Sequence, residues 1–306
     1  MSFEDPRWDD SRSGPTRGRA GALDVDPRDL DAVDPRDVFT EGLALPRGLD
    51  REPVFVGNDQ YDVRGSEVRT LATVGAFRVV AIDDLRGHGD RAADLWHGDF
   101  EHLRSEGLIR HIASVDRETG TDLVTLTAQG RELLESHRSP GHEPWQTFHD
   151  GVARERELVH DAQLYRAYLR VSERLVEQGA HVERVILEQD LRREYQVFLQ
   201  EPNRGRADSD GRPARDRDDV RRWAEDHDLP FADGRVQFPD FQIESFSPDG
   251  RRDIENVEVL TPHYRGAHAA GKVSAGFTRF RGIGARAGGK TGRGSRFDPG
   301  LAEELV

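Results

Sequence analysis

The turn Ser247-Pro248-Asp249-Gly250 lies between two alternating segments, and Asp240 and Glu258 stand nine residues to either side of Asp249. Proline, aspartate and glycine between alternating runs are hairpin chemistry. A hairpin symmetric about Asp249 sets the two acids opposite one another on one face, with Cβ atoms about 4.5–5.5 Å apart. Carboxylates that close repel unless a proton or a cation joins them, so the pair points to a divalent-cation site. A register slip of one residue would turn Glu258 to the other face. In the first strand Phe241 and Ile243 face one way, and Val236, Phe238, Asp240, Gln242 and Glu244 the other. In the second, Ile254, Asn256, Glu258 and Leu260 share a face, with Val257 and Val259 opposite. Acids among apolar residues on one side suit the floor of an active site better than a solvent face.

Pro262 ends the second strand. A helix after it would place Arg265, His268, Lys272, Ala275 and Arg279 on one stripe. A cationic stripe beside paired carboxylates suits phosphodiester chemistry: Asp240 and Glu258 would hold Mg²⁺ or Mn²⁺, and Lys272 or His268 would orient water or stabilise developing charge. The bland alternative is a solvated helix face. His263 and His268 have finger-like spacing, but with no cysteine and no HExxH context a zinc site is not expected.

Composition narrows the rest. Charged residues make up 33% of 306, there is no cysteine, and no signal peptide or long apolar run is present, so a soluble, cytoplasmic protein is expected. The net charge of −14 argues against coating nucleic acid by bulk attraction. That charge is uneven: residues 265–296 hold eight Lys/Arg and no acid, so −14 less this +8 leaves −22 on the remainder. A local basic segment can still contact phosphates.

Residues 1–60 read as an acidic, proline-rich, disordered tail in which VDPRD occurs twice, at 25–29 and 33–37. From about Gly65 the pattern is helical, with Ser66 as a cap, then a short helix over 78–85, then a third helix capped by Asp90 and closed by Gly107. Ile109–Val115 and Leu123–Leu126 alternate as two strands, and Thr127 caps a last helix. The order is that of a winged helix-turn-helix, whose third helix enters the major groove. Here that helix carries Arg91 and Arg104 against five acids, so Arg110, Arg117 and Arg131 on or near the wing are the better phosphate ligands. A winged helix also serves as a dimerisation or partner-docking module, which adds a homodimer to the expected assemblies.

Residues 139–149 read as a linker. Over 154–177 an amphipathic helix is expected to set Leu158, Tyr165, Tyr168, Leu169, Ser172, Leu175 and Val176 on one face, with Asp161 in its middle. A carboxylate there needs a partner: either a nearby Arg or Tyr, or a metal shared with the hairpin acids, with Glu157 one turn earlier as the substitute. His160 points off the stripe and reads as a surface residue.

The run FEHLRSEGLI followed by LTAQGRELLE resembles winged-helix regulators of the MarR type. Pro239-Asp240, the hairpin, Glu258 within Val-Glu-Val, the basic segment behind it and an earlier acid-bearing helix resemble the PD-(D/E)XK nuclease superfamily. The combination is similar to the replication-relaxation family of bacterial plasmids and integrated elements, a likeness that covers roughly residues 61–282. It implies an α/β (α+β) protein: a winged helix over 61–138, the linker, a mixed-sheet, restriction-endonuclease-like domain over 150–282 and a Gly/Arg-rich tail over 283–306. Carried over, it implies Asp240 and Glu258 as metal ligands, and an acid on the earlier helix, Asp161 or Glu157, fits its core. From the residues themselves Lys272 and His268 are the expected catalytic groups, and Arg91, Arg104, Arg110, Arg117, Arg131, Arg265 and Arg279 the expected DNA contacts. DNA, relaxosome or replication proteins are the implied partners, and no membrane. The family's Glu-x-Lys lysine falls at Leu260, so either Lys272 replaces it from a migrated position or the domain binds without cleaving. A non-catalytic regulator or relaxosome accessory, or a partner-docking protein, is the alternative reading.

Overall fold

The computed structural model describes residues 34–85, 93–112, 122–206, 212–213, 215–260 and 276–281. Arg91, Arg117, Arg265, His268 and Lys272 lie outside the described residues, as do residues 1–33 and the tail at 283–306.

The described residues begin inside the segment expected to be a tail. The second VDPRD copy is a turn in which the Arg36 guanidinium, 1% exposed, donates to both oxygens of Asp34. Behind it come a single 3-10 turn, Asp37–Thr40, and the antiparallel strands β1 (Glu52–Val56) and β2 (Asp59–Val63). Phe39, Leu43, Leu45, Val54, Tyr61 and Val63 from this stretch are all buried. They are sparse in sequence, and window composition hides them; what buries them is α1 (Gly65–Phe77), itself enclosed along almost its whole length. Ser66 does not cap α1. Glu67 Oε2 reaches back to the Arg64 N–H at 3.0 Å, the N3 half of a capping box, while Ser66 Oγ donates to Asp99 at 2.6 Å.

The short helix expected over 78–85 is instead β3 (Val80–Ala81) and a 3-10 turn, Ile82–Leu85, where β-branched Val79, Val80 and Ile82 favour extended backbone. The next three expectations hold over the described residues, while the Asp90 cap and residues 113–115 of the first wing strand lie outside them. Helix α2 spans Ala93–Ser105 with Gly107 at φ +72 behind it. Strands β4 (Ile109–Ile112) and β5 (Leu123–Leu126) pair antiparallel, β3 adding to the far edge of β5. Thr127 Oγ1 accepts the Gly130 N–H at 3.1 Å to start α3 (Ala128–Ser136).

The expected linker is tied down: Gln146 donates to Val185 O at 3.0 Å and accepts from Val185 N at 2.9 Å, and Phe148 is buried. Then follow α4 (Leu158–Glu177), β6 (His181–Leu187), α5 (Glu188–Gln200) and α6 (Arg217–Asp226). Val176, expected on the apolar face of α4, is exposed. A two-residue turn at Asp233-Gly234, both at positive φ, joins β7 (Phe231–Ala232) to β8 (Arg235–Val236). Strands β9 (Phe241–Phe246), β10 (Arg252–Leu260) and β11 (Thr278–Arg281) complete a mixed sheet in the order β6-β9-β10-β11, whose last pair alone is parallel. The hairpin register runs from Phe246 opposite Arg252 to Phe241 opposite Val257, symmetric about Asp249 as expected. Arg279, expected on a helical stripe, is on β11.

Both sheet faces are covered, which is why Gln242, Glu244 and Ser245 of β9 are buried along with its apolar residues. Phe241, Ile243, Val257 and Val259 join Tyr165, Tyr168 and Val171 of α4 in the main core. Leu191, Trp223 and Phe238 form a second cluster under α5 and α6. Phe77, at the end of α1, has its ring centroid 5.2 Å from Tyr165, 5.3 Å from Tyr168 and 6.3 Å from Phe241. The two halves expected as separate domains therefore share one core among the described residues. No helix among those residues is long and apolar enough to cross a membrane.

Candidate functional site

Asp240 and Glu258 lie one residue beyond the last regular pair of the hairpin, Phe241 opposite Val257, at 8% and 2% exposure. Asp240 leaves the ladder there. Its N–H donates to Val257 O (3.0 Å), its carbonyl accepts the Glu188 N–H (2.9 Å), and its Oδ2 accepts the Val259 N–H (2.7 Å). The carboxylate thus ties β9 to β10, and the first residue of α5 is fastened to its backbone. On the other side of Glu258, in the parallel register, is Arg279, so a cation does neighbour the acids, though from a strand.

His160 is no surface residue. Its Nε2 lies 3.2 Å from Asp240 Oδ2 and its Nδ1 3.4 Å from Asp161 Oδ1. A ring that faces a carboxylate at each nitrogen is held as imidazolium. Burial alone would lower its pKa, but the hydrogen bonds to Asp161 and Asp240 and their negative charges overcome that, and it is pushed up to about 10. The partner of Asp161 is therefore neither Arg nor Tyr but its own neighbour in the first turn of α4. A helical-wheel count placed His160 off the apolar stripe, and only the tertiary approach of β9 gives it a partner.

This arrangement bears on a metal. Asp161 reaches Asp240 only across the imidazole, so it is not part of one ligand shell with it. Among the described residues no group of three or more His, Cys, Asp or Glu side chains is placed to hold an ion. Asp240 and Glu258 are a pair of hard oxygen donors, which suits a Mg²⁺-class ion that keeps waters and takes further oxygens from a phosphate, and does not make a closed protein cage. Glu157, the substitute acid, is instead half-buried and paired with Arg154 at 2.9 Å.

A second polar cluster, for which the sequence carries no motif, borders this site. His149 is buried beneath Arg78, which reaches its Nδ1 at 3.3 Å, and Gln189 reaches the same nitrogen at 2.9 Å. His149 Nε2 is 3.0 Å from Asp190 Oδ2 but out of line for a hydrogen bond, and neither Asp190 oxygen has a hydrogen-bond partner. Arg193 lies 3.5 Å from Asp190.

Comparison with family models, with characterised proteins and with solved structures finds no match to this chain. The other sequence-expected cations divide by their partners. Arg104 is paired with Glu101 at 2.6 Å and Arg131 with Asp150 at 2.7 Å. Arg110 is exposed on β4 and has no acidic partner among the described residues. Asp99, counted against the third helix as a phosphate reader, is buried and held by Arg64 and Ser66, so it adds nothing to the outer charge of α2.

Proposed function

We propose that this chain binds DNA through its N-terminal half and carries, at the end of the β9–β10 hairpin, a metal-dependent phosphodiesterase site of the replication-relaxation kind. The observation that carries the reading is the burial of two acids, Asp240 and Glu258, at the adjoining ends of β9 and β10. Asp240 and Glu258 would hold Mg²⁺ or Mn²⁺, which supplies Lewis-acid polarisation of a phosphate and a water of lowered pKa. The remaining chemistry belongs to the chain. Val259 N–H and His160 fix the direction of the Asp240 carboxylate, and Arg279 offers positive charge beside Glu258. The order of helices and strands in the described residues of 65–136, with Arg110 exposed on β4, supports duplex binding by backbone contacts.

A second reading, DNA binding without cleavage as a regulator or relaxosome accessory, is favoured by Leu260 at the place of the superfamily's lysine. Calorimetric titration with Mn²⁺ separates the two. The first reading expects a site that Asp240→Ala removes, and nicking of supercoiled plasmid that Glu258→Gln abolishes while DNA affinity stays. Absence of Mn²⁺ binding leaves only the second reading. Both expect Arg110→Ala to lower DNA affinity and to reduce the salt slope by about one ion; affinity that does not respond to salt would remove both.

A further inference from the structure

Arg78 occupies a backbone conformation that an L residue seldom takes. Its φ is +66 and ψ −50, and Val79 N donates to Phe77 O at 2.7 Å across it. Those are the angles and the bond of the rare γ-turn with positive φ, which is strained for any residue with a Cβ. Glycine would make this turn with less strain, so the strain is sustained by what the arginine side chain does.

That side chain spans the joint between the two halves. Nη1 donates to Asp150 O at 3.1 Å, and Nη2 donates to Gln189 Oε1 at 2.7 Å. A guanidinium can only donate, so Gln189 presents its oxygen to Arg78 and its NH₂ to His149 Nδ1. The next residue back, Glu188, donates its N–H to Asp240 O. Bonds thus run from the end of α1, through the first turn of α5, to the backbone of Asp240.

We infer that Arg78 is a positioning residue: from the N-terminal half it holds the start of α5, and through the Glu188 N–H it sets where Asp240 sits. The inference deepens the proposed phosphodiesterase reading and rests on it for its catalytic consequence, but its structural content can be tested alone.

The experiment is hydrogen exchange, by NMR, on the full chain and its variants Arg78→Gly, Arg78→Lys and Gln189→Met. Arg78→Gly relieves the turn while removing the guanidinium. The Glu188 amide should then exchange at least about tenfold faster while Ile243, in the centre of β9, keeps its protection. Gln189→Met should do the same from the other side of the contact, and the double variant should add little to either single one. Arg78→Lys, a single-point donor, should fall between. In plasmid nicking, Arg78→Gly should lower kcat with KM for DNA unchanged. Wild-type exchange at Glu188 in both Arg78→Gly and Gln189→Met overturns the inference, as does a uniform loss of protection that includes Ile243. If the wild-type chain neither binds Mn²⁺ nor nicks DNA, the phosphodiesterase reading fails, and the exchange comparison still decides the role of Arg78.

Discussion

The His160 contact makes stability depend on pH in a direction opposite to that of a carboxylate with a depressed pKa, whose contribution is lost in acid. A histidine whose folded pKa is raised binds its proton more tightly in the native state. Its contribution is fully present below the unfolded value of 6.5 and is lost as pH rises through the folded value of about 10. At 1.36 kcal/mol per unit, a shift of this size corresponds to about 5 kcal/mol as a ceiling. The ring is 29% exposed, and water screening of a partly exposed pair leaves about 2 kcal/mol as the expected gain. The perturbation is His160→Gln, which keeps a polar side chain of similar reach and cannot carry the charge. Urea unfolding of wild type and variant at pH 6, 7.5, 9 and 10, with the two free energies subtracted at each pH, cancels every other titrating group. The gap should be widest at pH 6 and narrow at up to about 1.4 kcal/mol per pH unit above 6.5. A gap that is flat from pH 6 to 10, or that widens with pH, would refute the imidazolium bridge between Asp161 and Asp240.

Two further outcomes test the shared core and the close backbone approach behind α3. Phe77→Ala should cost about 3–5 kcal/mol, as for other buried aromatics. Because its ring lies against Tyr165, Tyr168 and Phe241, circular dichroism and the fluorescence of Trp223 should report one common midpoint; two separated transitions would show that the halves fold independently. At Gly130 an added Cβ would lie 2.1 Å from the Leu108 carbonyl oxygen, a backbone atom that cannot swing away. Gly130→Ala should therefore destabilise by at least about 1–3 kcal/mol in thermal unfolding, and an unchanged midpoint would place that approach in error.

Much of the local structure is legible because it is encoded by neighbours. The turn Ser247–Gly250 and the alternation on either side specify the hairpin and its register; Thr127 specifies where α3 starts; Gly107 specifies where the turn after α2 comes. Each depends on bonds that close within a few residues, so the residue types alone determine them. The register carries the hairpin as far as Phe241 opposite Val257, which brings Asp240 and Glu258 to the adjoining ends of the two strands.

What only the tertiary structure decides is the company those residues keep. The Val259 N–H holds the Asp240 carboxylate against β10, and His160 finds Asp240 because α4 packs on the sheet. Neither is visible on a helical wheel. Phe39 and Val54 look like strays in a charged tail until α1 covers them, and Arg279 looks helical until β10 offers it a parallel edge. Arg78 gives the sharpest instance: its backbone strain is offset by partners at Asp150 and Gln189, which lie far along the chain. Periodicity and turn chemistry are properties of adjacent residues, whereas burial, charge pairing and tolerated strain are properties of distant segments brought together, and those exist only once the chain has folded.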